Sequence, residues 1–297
     1  MKNVFTFLLL LFSLLCNGQS PKLFTTDKEL SSSLINQIYQ DRNGFIWIAT
    51  EDGLNRYDGA KFTIYKHEPN NEHSLAHNFV RTVFEDSKGH LLIGTYIGIQ
   101  MYDPATDNFT PLAKLEDTGE TLESNINSFI ERKNGEIWVS GNVLCKLDIK
   151  DHLLTVRKVD IAVTSPGSLF EDKKQNVWMA KGEEGVYQLT PDNQLTLHLS
   201  KDNGYVKSIC EDQRGNIYVG SIRKGLFIYD KERKTFVPID LKEKGELPVC
   251  FLYSGIPNEL YIGTDGKGVV IYNIRTHEIS EYKFDNNYFD SGNSKIH

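Results

Sequence analysis

The sequence predicts an all-β chain built from repeats, and three observations carry that prediction. The stretch Asp41 to Asp58 returns over 86 to 103, a shift of 45 residues, with Asp86, Gly89, Leu92, Ile93, Thr95, Gly98, Tyr102 and Asp103 in register. Aromatic or leucine markers then recur at 47, 92, 138, 178, 218 and 261, in steps of 45, 46, 40, 40 and 43 residues. No sustained helical spacing of apolar residues follows Leu15, which sets aside leucine-rich and ankyrin arrays. A period of this length fits four short strands per repeat, the blade of a β-propeller.

Taken in order, the chain of 297 residues opens on Met1-Lys2-Asn3 and an apolar run from Val4 to Leu15, too short to span a bilayer comfortably. This reads as a signal peptide over 1-18, cut after Gly18, leaving an exported chain over 19-297. Cys16 offers lipidation as an alternative, but Leu14-Leu15 lacks the small residue that such a site uses. Leu23 to Thr26 resembles the outer strand Lys61 to Ile64, so the chain begins with an outermost strand that lacks its inner three.

The first blade follows. Ile35 to Gln40 ends in the turn Asp41-Arg42-Asn43-Gly44, where the Asp carboxylate accepts a backbone N–H two residues on and the Gly tolerates positive φ. Phe45 to Thr50 is apolar on both faces, which predicts a strand sandwiched between neighbouring blades. Leu54 to Asp58 and Phe62 to Tyr65 complete four antiparallel strands. The second blade repeats the plan with Val80 to Phe84, Leu91 to Gly94, Ile99 to Tyr102 and Phe109 to Pro111. Asn134 to Val139, Gln175 to Ala180, Arg214 to Gly220 and Asn258 to Thr264 mark four more. The sixth has its own outer strand, His277 to Tyr282, and Asn293 to His297 reads as the start of a further inner strand. The expectation is an incomplete seven-bladed ring: six blades plus the closing strand of a seventh, cut short by about 35 residues on the blade period. A six-bladed ring with a redundant strand is the alternative.

Composition bounds the function. The net charge of -7, without a Lys/Arg stripe, argues against a nucleic-acid partner, and no membrane span follows the leader. Cys145, Cys210 and Cys250 are an odd number among apolar strand residues, which predicts buried free thiols and no disulfide framework. There is no Gly-x-Ser-x-Gly elbow, His-Glu-x-x-His, phosphate loop or Cys-x-x-Cys, so neither an enzyme nor a cofactor is expected. His73 and His77 lie in a loop, where a spacing of four does not align two side chains, and no metal site is expected there. Asp58, Asp86, Asp103, Asp172, Asp212 and Asp230 recur in register, which points to turn chemistry rather than general acids. Trp47, Trp138, Trp178, Tyr218 and Tyr261 share one strand position, which points to inter-blade core rather than sugar platforms.

Loops that enter the inner strands and loops that join second to third strands open on one end of the ring. There the residues vary from blade to blade: Asn36, Glu51, Asp52, Asn78, Tyr96, Asn127, Asn142, Lys181, Glu183, Arg223, Lys224 and Lys267. Variation within a fixed frame is what loops that carry function display; solvated loop tips are the plainer reading. The ligand-binding candidates are Asn36, Asp52, Asn78, Tyr96, Asn127, Lys181, Arg223 and Lys267, with Tyr96 as the exposed ring that a carbohydrate site wants.

Ser33-Leu34, Asn36, Ile38, Asp41, Gly44, Ile46-Trp47-Ile48, Thr50, Gly53-Leu54 and Tyr57-Asp58 together resemble the two-component regulator propeller repeat. The resemblance is close in the first two blades, clear in the fifth and sixth, and worn in the third and fourth. It implies a periplasmic sensor from a hybrid two-component receptor anchored in the inner membrane, whose histidine kinase lies downstream and is absent from these residues. It also implies an oligosaccharide ligand. A ligand signals only by preferring one of two arrangements, so a domain or homodimer rearrangement is expected rather than chemistry. The competing readings are an exported lyase or glycan-cleaving enzyme, for which Arg81, Glu131 and Lys207 are the inner-strand charges to test, and a propeller used only for protein contacts.

Overall fold

Each turn of the Asp41 type closes on itself in a way that dictates the strands on either side. In the computed structural model, which describes residues 24–26, 29–199, 204–241 and 247–282, Asp41 Oδ1 accepts the N–H groups of Asn43 and Phe45, both at 2.9 Å. Its Oδ2 accepts the indole N–H of Trp47 at 2.8 Å. The carboxylate thus caps the turn and fixes the aromatic of the next strand. Asp172 does the same for Lys174, Asn176 and Trp178, and Asp212 for Arg214, Asn216 and Tyr218. Asp86 holds His90, because the marker in that blade is Leu92. The turn needs a left-handed residue at its fourth position: Gly44 has φ 88°, and the worn fourth blade strains Gln175 to 67°.

The strands form six sheets. Blade 1 is β1–β4 (Ile35–Gln40, Ile46–Thr50, Gly53–Tyr57, Phe62–Tyr65) and blade 2 is β5–β8 (Val80–Glu85, Leu91–Thr95, Ile99–Asp103, Asn108–Phe109). Blade 3 comprises β9 (Lys114–Leu115), β10 (Ser128–Glu131), β11 (Ile137–Ser140), β12 (Leu144–Lys150) and β13 (Leu153–Lys158). Blade 4 is β14–β17 (Ser168–Glu171, Val177–Lys181, Gly185–Leu189, Leu195–Leu199). Blade 5 is β18–β21 (Val206–Glu211, Ile217–Ser221, Gly225–Asp230, Thr235–Pro238), and blade 6 is β22–β25 (Val249–Tyr253, Glu259–Thr264, Val269–Asn273, Ile279–Glu281). Every blade is built on an antiparallel meander, and the described residues form six blades of a β-propeller, the six that the period predicts. Blade 3 departs from four strands: the long connection from blade 2 lays β9 parallel against the outer edge of β13, pairing Lys114 with Thr155 and Leu115 with Val156. Residues 24–26 of the expected outermost strand are not part of a strand among the described residues; Phe24 packs on Tyr57 and Phe62 of blade 1. Residues 1-18, Leu23 and Asn293 to His297 lie outside the described residues.

The core is laid down between blades. Its five clusters lie one in each gap between consecutive blades, with Trp47 on blade 2, Trp138 on blade 4, Trp178 on blade 5 and Tyr218 on blade 6. These four aromatics are at most 3 % exposed, as the inter-blade reading requires; Tyr261 is only half-buried. At the end that carries the first turn of each blade, a polar clamp repeats. The backbone N–H of the residue after the turn aspartate, or of its counterpart Arg132, donates to the last glutamate of the next inner strand: Arg42 to Glu85 at 2.8 Å, Ser87 to Glu131 at 2.6 Å, Lys133 to Glu171 at 2.7 Å and Lys173 to Glu211 at 3.1 Å.

Blades 1 and 6 each keep one bare face. Ile38 of β1 is 61 % exposed, whereas its register equivalents Val83, Phe129, Leu169, Ile209 and Leu252 are all at most 8 % exposed. On blade 6, Phe251 is 61 % and Tyr253 is 51 % exposed, where blade 5 buries Ser208 and Cys210. These are the two faces that the repeat elsewhere covers with a neighbouring blade.

Candidate functional site

The loops singled out in the sequence do share one end of the propeller. Glu51 N–H bonds to Leu34 O, Tyr96 N–H to Phe79 O, Ile222 N–H to Tyr205 O and Asp265 N–H to Pro248 O, at 2.9 to 3.1 Å. Each bond ties a second-to-third-strand turn to the loop that enters the inner strand of the same blade.

Three residues at one register face the next blade from this end. Asn36 donates to Val80 O at 2.8 Å, Arg81 to Asn127 Oδ1 at 2.6 Å, and Asn127 to Pro166 O at 3.2 Å. Asn36 and Asn127 thus hold blade to blade as well as border the mouth. Asn78 accepts the His67 N–H at 2.7 Å and donates to Asp52, whose second oxygen pairs with Lys66 at 2.7 Å. Tyr96 is 54 % exposed and is backed by the rings of His77 and Phe79, with centroids 5.6 and 6.1 Å away. The Arg81 guanidinium lies over the other ring of this pair, 5.6 Å from the Phe79 centroid. Arg81 Nε is buried without a hydrogen-bond partner in the protein, a costly arrangement that a buried water would relieve.

The fold therefore gathers Asn36, Asp52, Asn78, Tyr96 and Asn127 around blades 1 to 3. Lys181 stands apart on blade 4, held by Glu184 at 2.8 Å and Thr164 at 3.1 Å. Arg223 of blade 5 reaches Glu183 at 2.9 Å, and Lys267 sits on the exposed turn of blade 6 with its N–H on Thr264. Sequence reasoning missed His77 and Phe79 as supports for Tyr96, because nothing in a loop sequence reports which rings will meet. Of the other inner-strand charges, Glu131 is spent on the clamp to Ser87 at the opposite end.

Further chemistry is structural. Asp58, Asp103 and Asp230 each accept backbone N–H bonds within their own turns. His73 and His77 bind different backbone groups, Phe109 O and Phe79 N–H, and among the described residues no group of three His, Cys, Asp or Glu is gathered as a metal would need. Burial pushes the Cys145 thiol up to about 11 and Cys210 up to about 12; Cys250 is only half-buried, contrary to expectation, and stands at the bulge of β22, the position of Asn36 and Arg81 in their strands.

At the opposite rim, between blades 1 and 2, Asp107 is a hub that the sequence did not reveal. It accepts from Arg56 at 2.9 Å and from Tyr65 and Tyr102, each at 2.6 Å. Burial works to raise its carboxyl, but the bonds from Tyr102 and Tyr65 and the charge of Arg56 prevail and hold it below the usual range.

Known proteins resemble this chain in local sequence and in fold. The signature of the two component regulator propeller matches residues 29–52, 74–96 and 200–223. Over those three stretches the chain is similar to two component regulator propeller repeats. Over 83 residues it is 37% identical to "Histidine kinase P4" of Formosa agariphila, a match that takes in 26% of this chain and 6% of that protein. The repeat propeller superposes on the extracellular domain described for a hybrid two component system, BT3049 of B. thetaiotaomicron, with TM-score 0.76 and 20% identity over 92% of this chain and 38% of that one. It also superposes on a catalytically inactive virginiamycin B lyase of Staphylococcus aureus with TM-score 0.67 and 12% identity, over 91% and 89%. At these identities the likeness is one of fold. The chain spans well under half the length of the kinase and of the extracellular domain.

Proposed function

We propose that the propeller is the exported ligand-sensing part of a hybrid two-component receptor and that it recognises an oligosaccharide at the blade 1 to 3 mouth. The observation that carries this reading is the pairing of an exposed Tyr96 ring with the Arg81 guanidinium stacked on Phe79 beside it. A sugar offers an apolar face for the ring and oxygens for the guanidinium. Asn36, Asp52, Asn78 and Asn127 supply the surrounding amide and carboxylate groups; Lys181, Arg223 and Lys267 extend the mouth over blades 4 to 6. The histidine kinase relative and the extracellular domain of like fold support a signalling role, with the kinase in a further part of the polypeptide and a second copy as partner. We propose too that a seventh blade covers the bare faces of blades 1 and 6, and that 1-18 directs the chain to the periplasm.

A panel of neutral and acidic oligosaccharides, followed by calorimetry and thermal shift, tests the ligand reading. At least one is expected to bind, with tenfold or greater weakening in Tyr96→Ala and in Arg81→Gln and little change in the unliganded Tm of Tyr96→Ala. A panel without a binder, or binding indifferent to both changes, overturns it. The fold likeness to a lyase favours an enzyme as the second reading; turnover of a bound sugar to an unsaturated product would establish that reading instead.

A further inference from the structure

The crevice between blades 4 and 5, at the rim opposite the mouth, repeats the Asp107 site with its charges exchanged. Pairing registers align Trp178 with Trp47, Gln188 with Arg56, and Tyr229 with Tyr102. Lys234 takes the place of Asp107, and the two share the same left-handed backbone, φ 52° and 53°. Between blades 1 and 2, the carboxylate of Asp107 is the acceptor on which one guanidinium and two phenols converge. Between blades 4 and 5 that acceptor is gone, and the space is an open groove of about 560 Å³ lined by Lys174, Gln188, His198, Tyr229, Lys231 and Lys234.

The groove is a built one. The His198 ring bridges the Lys234 carbonyl at 3.0 Å and the Gln188 side chain at 2.7 Å. It packs against Trp178 and Tyr229 at 5.4 and 5.1 Å, and Thr235 bonds back to the His198 carbonyl at 3.1 Å. Lys174, Lys231 and Lys234 line this groove, and among the described residues none of the three forms an ion pair, unlike Arg56 with Asp107 in the equivalent crevice between blades 1 and 2. Three exposed like charges around one groove in a chain of net charge -7 make a locally positive field that attracts an anion.

We infer that this groove binds an external oxoanion, a carboxylate or sulfate group carried by a solute of sugar size, in the position that the Asp107 carboxylate occupies between blades 1 and 2. The inference is independent of the mouth, and it adds an acidic ligand class to the sensor reading.

The test measures binding of trigalacturonate, neutral maltotriose and inorganic sulfate to the protein by calorimetry, with lysine acetylation mapped by mass spectrometry. Trigalacturonate is expected to bind, to weaken as salt rises, and to protect Lys174, Lys231 and Lys234 from acetylation. Sulfate is expected to protect the same three residues at higher concentration; sulfate protection equal to that by trigalacturonate would assign the groove to free oxoanions rather than to acidic sugars. Lys234→Asp restores the resident carboxylate and is expected to abolish protection and weaken trigalacturonate at least tenfold with no loss of Tm. Maltotriose is expected to leave all three lysines unprotected. Absence of protection by either anion, or undiminished binding in Lys234→Asp, overturns the inference. Anion protection that persists in Tyr96→Ala separates this groove from the mouth, so either site can fail while the other stands.

Discussion

Glu136 shows how a single side chain takes over a role that the repeat assigns elsewhere. Blade 3 has Arg132 where blades 1, 2, 4 and 5 have aspartate, and the indole N–H of Trp138 is met by Glu136 at 3.0 Å instead. Lys146 bonds the second carboxylate oxygen, and the Arg132 guanidinium lies 4.6 Å from the Trp138 ring centroid. Burial works to raise the carboxyl, but the bonds from Lys146 and Trp138 overcome it and take Glu136 from the ordinary 4.5 down to about 2. A carboxyl depressed in the folded state adds stability above its unfolded value and loses it as the proton returns. The native protein is therefore expected to lose Tm more steeply than Glu136→Gln as pH falls from 4.5 towards 2, with the difference flat near neutrality. The side chain is one-third exposed, so solvent screens the effect and the gap is expected to be small. Parallel acid melting curves of the two proteins would remove this account of blade 3.

Among elements, the inner strands separate what the fold buries from what it leaves bare. Leu252 of β22 and Ile38 of β1 hold the same register, yet the first is 4 % and the second 61 % exposed. Deleting a buried aliphatic side chain costs about 3 kcal/mol, and truncating an exposed one costs about 0.5 kcal/mol or less. Leu252→Ala is accordingly expected to lower chemical-denaturation stability by about 3 kcal/mol, and Ile38→Ala to leave it almost unchanged. Equal losses would mean that β1 is covered. The sequence pattern allowed the strands to be placed because each blade needs a left-handed turn residue and an apolar strand at fixed offsets, and four of the six add a capping aspartate. It could not place β9, whose two residues owe their pairing to a neighbour 41 positions away at Lys114 and Thr155. Nor could it assemble Asp107 with Arg56, 51 residues apart, or Tyr96 with His77, since those contacts arise only when separate blades and loops are stacked. The mouth residues were readable as a group for the opposite reason: the repeat fixes which turns share an end, whatever side chains they carry.

At the scale of the molecule, six blades have five shared cores, and stability is then a sum of blade terms and nearest-neighbour terms. An interior blade is covered on two faces, and a terminal blade on one. Opening free energies should follow that count, because local unfolding is least costly where buried apolar contacts are fewest. Amides of β1 and of β22 to β24 are expected to exchange with deuterium sooner than those of the equivalent strands in blades 2 to 5, although the hydrogen-bond ladders within the sheets are alike. The clamp adds to the gradient, since Glu85, Glu131, Glu171 and Glu211 each receive a neighbour's N–H, while the equivalent Gln40 of blade 1 is exposed. Uniform protection across all six blades would show the two bare faces to be joined. In a longer chain that supplies a seventh blade, the same strands should become as protected as the rest, with Ile38 and Phe251 turning from tolerant to sensitive positions. The change in those two residues, measured in both lengths of chain, separates a ring completed by its own polypeptide from one that ends with blade 6.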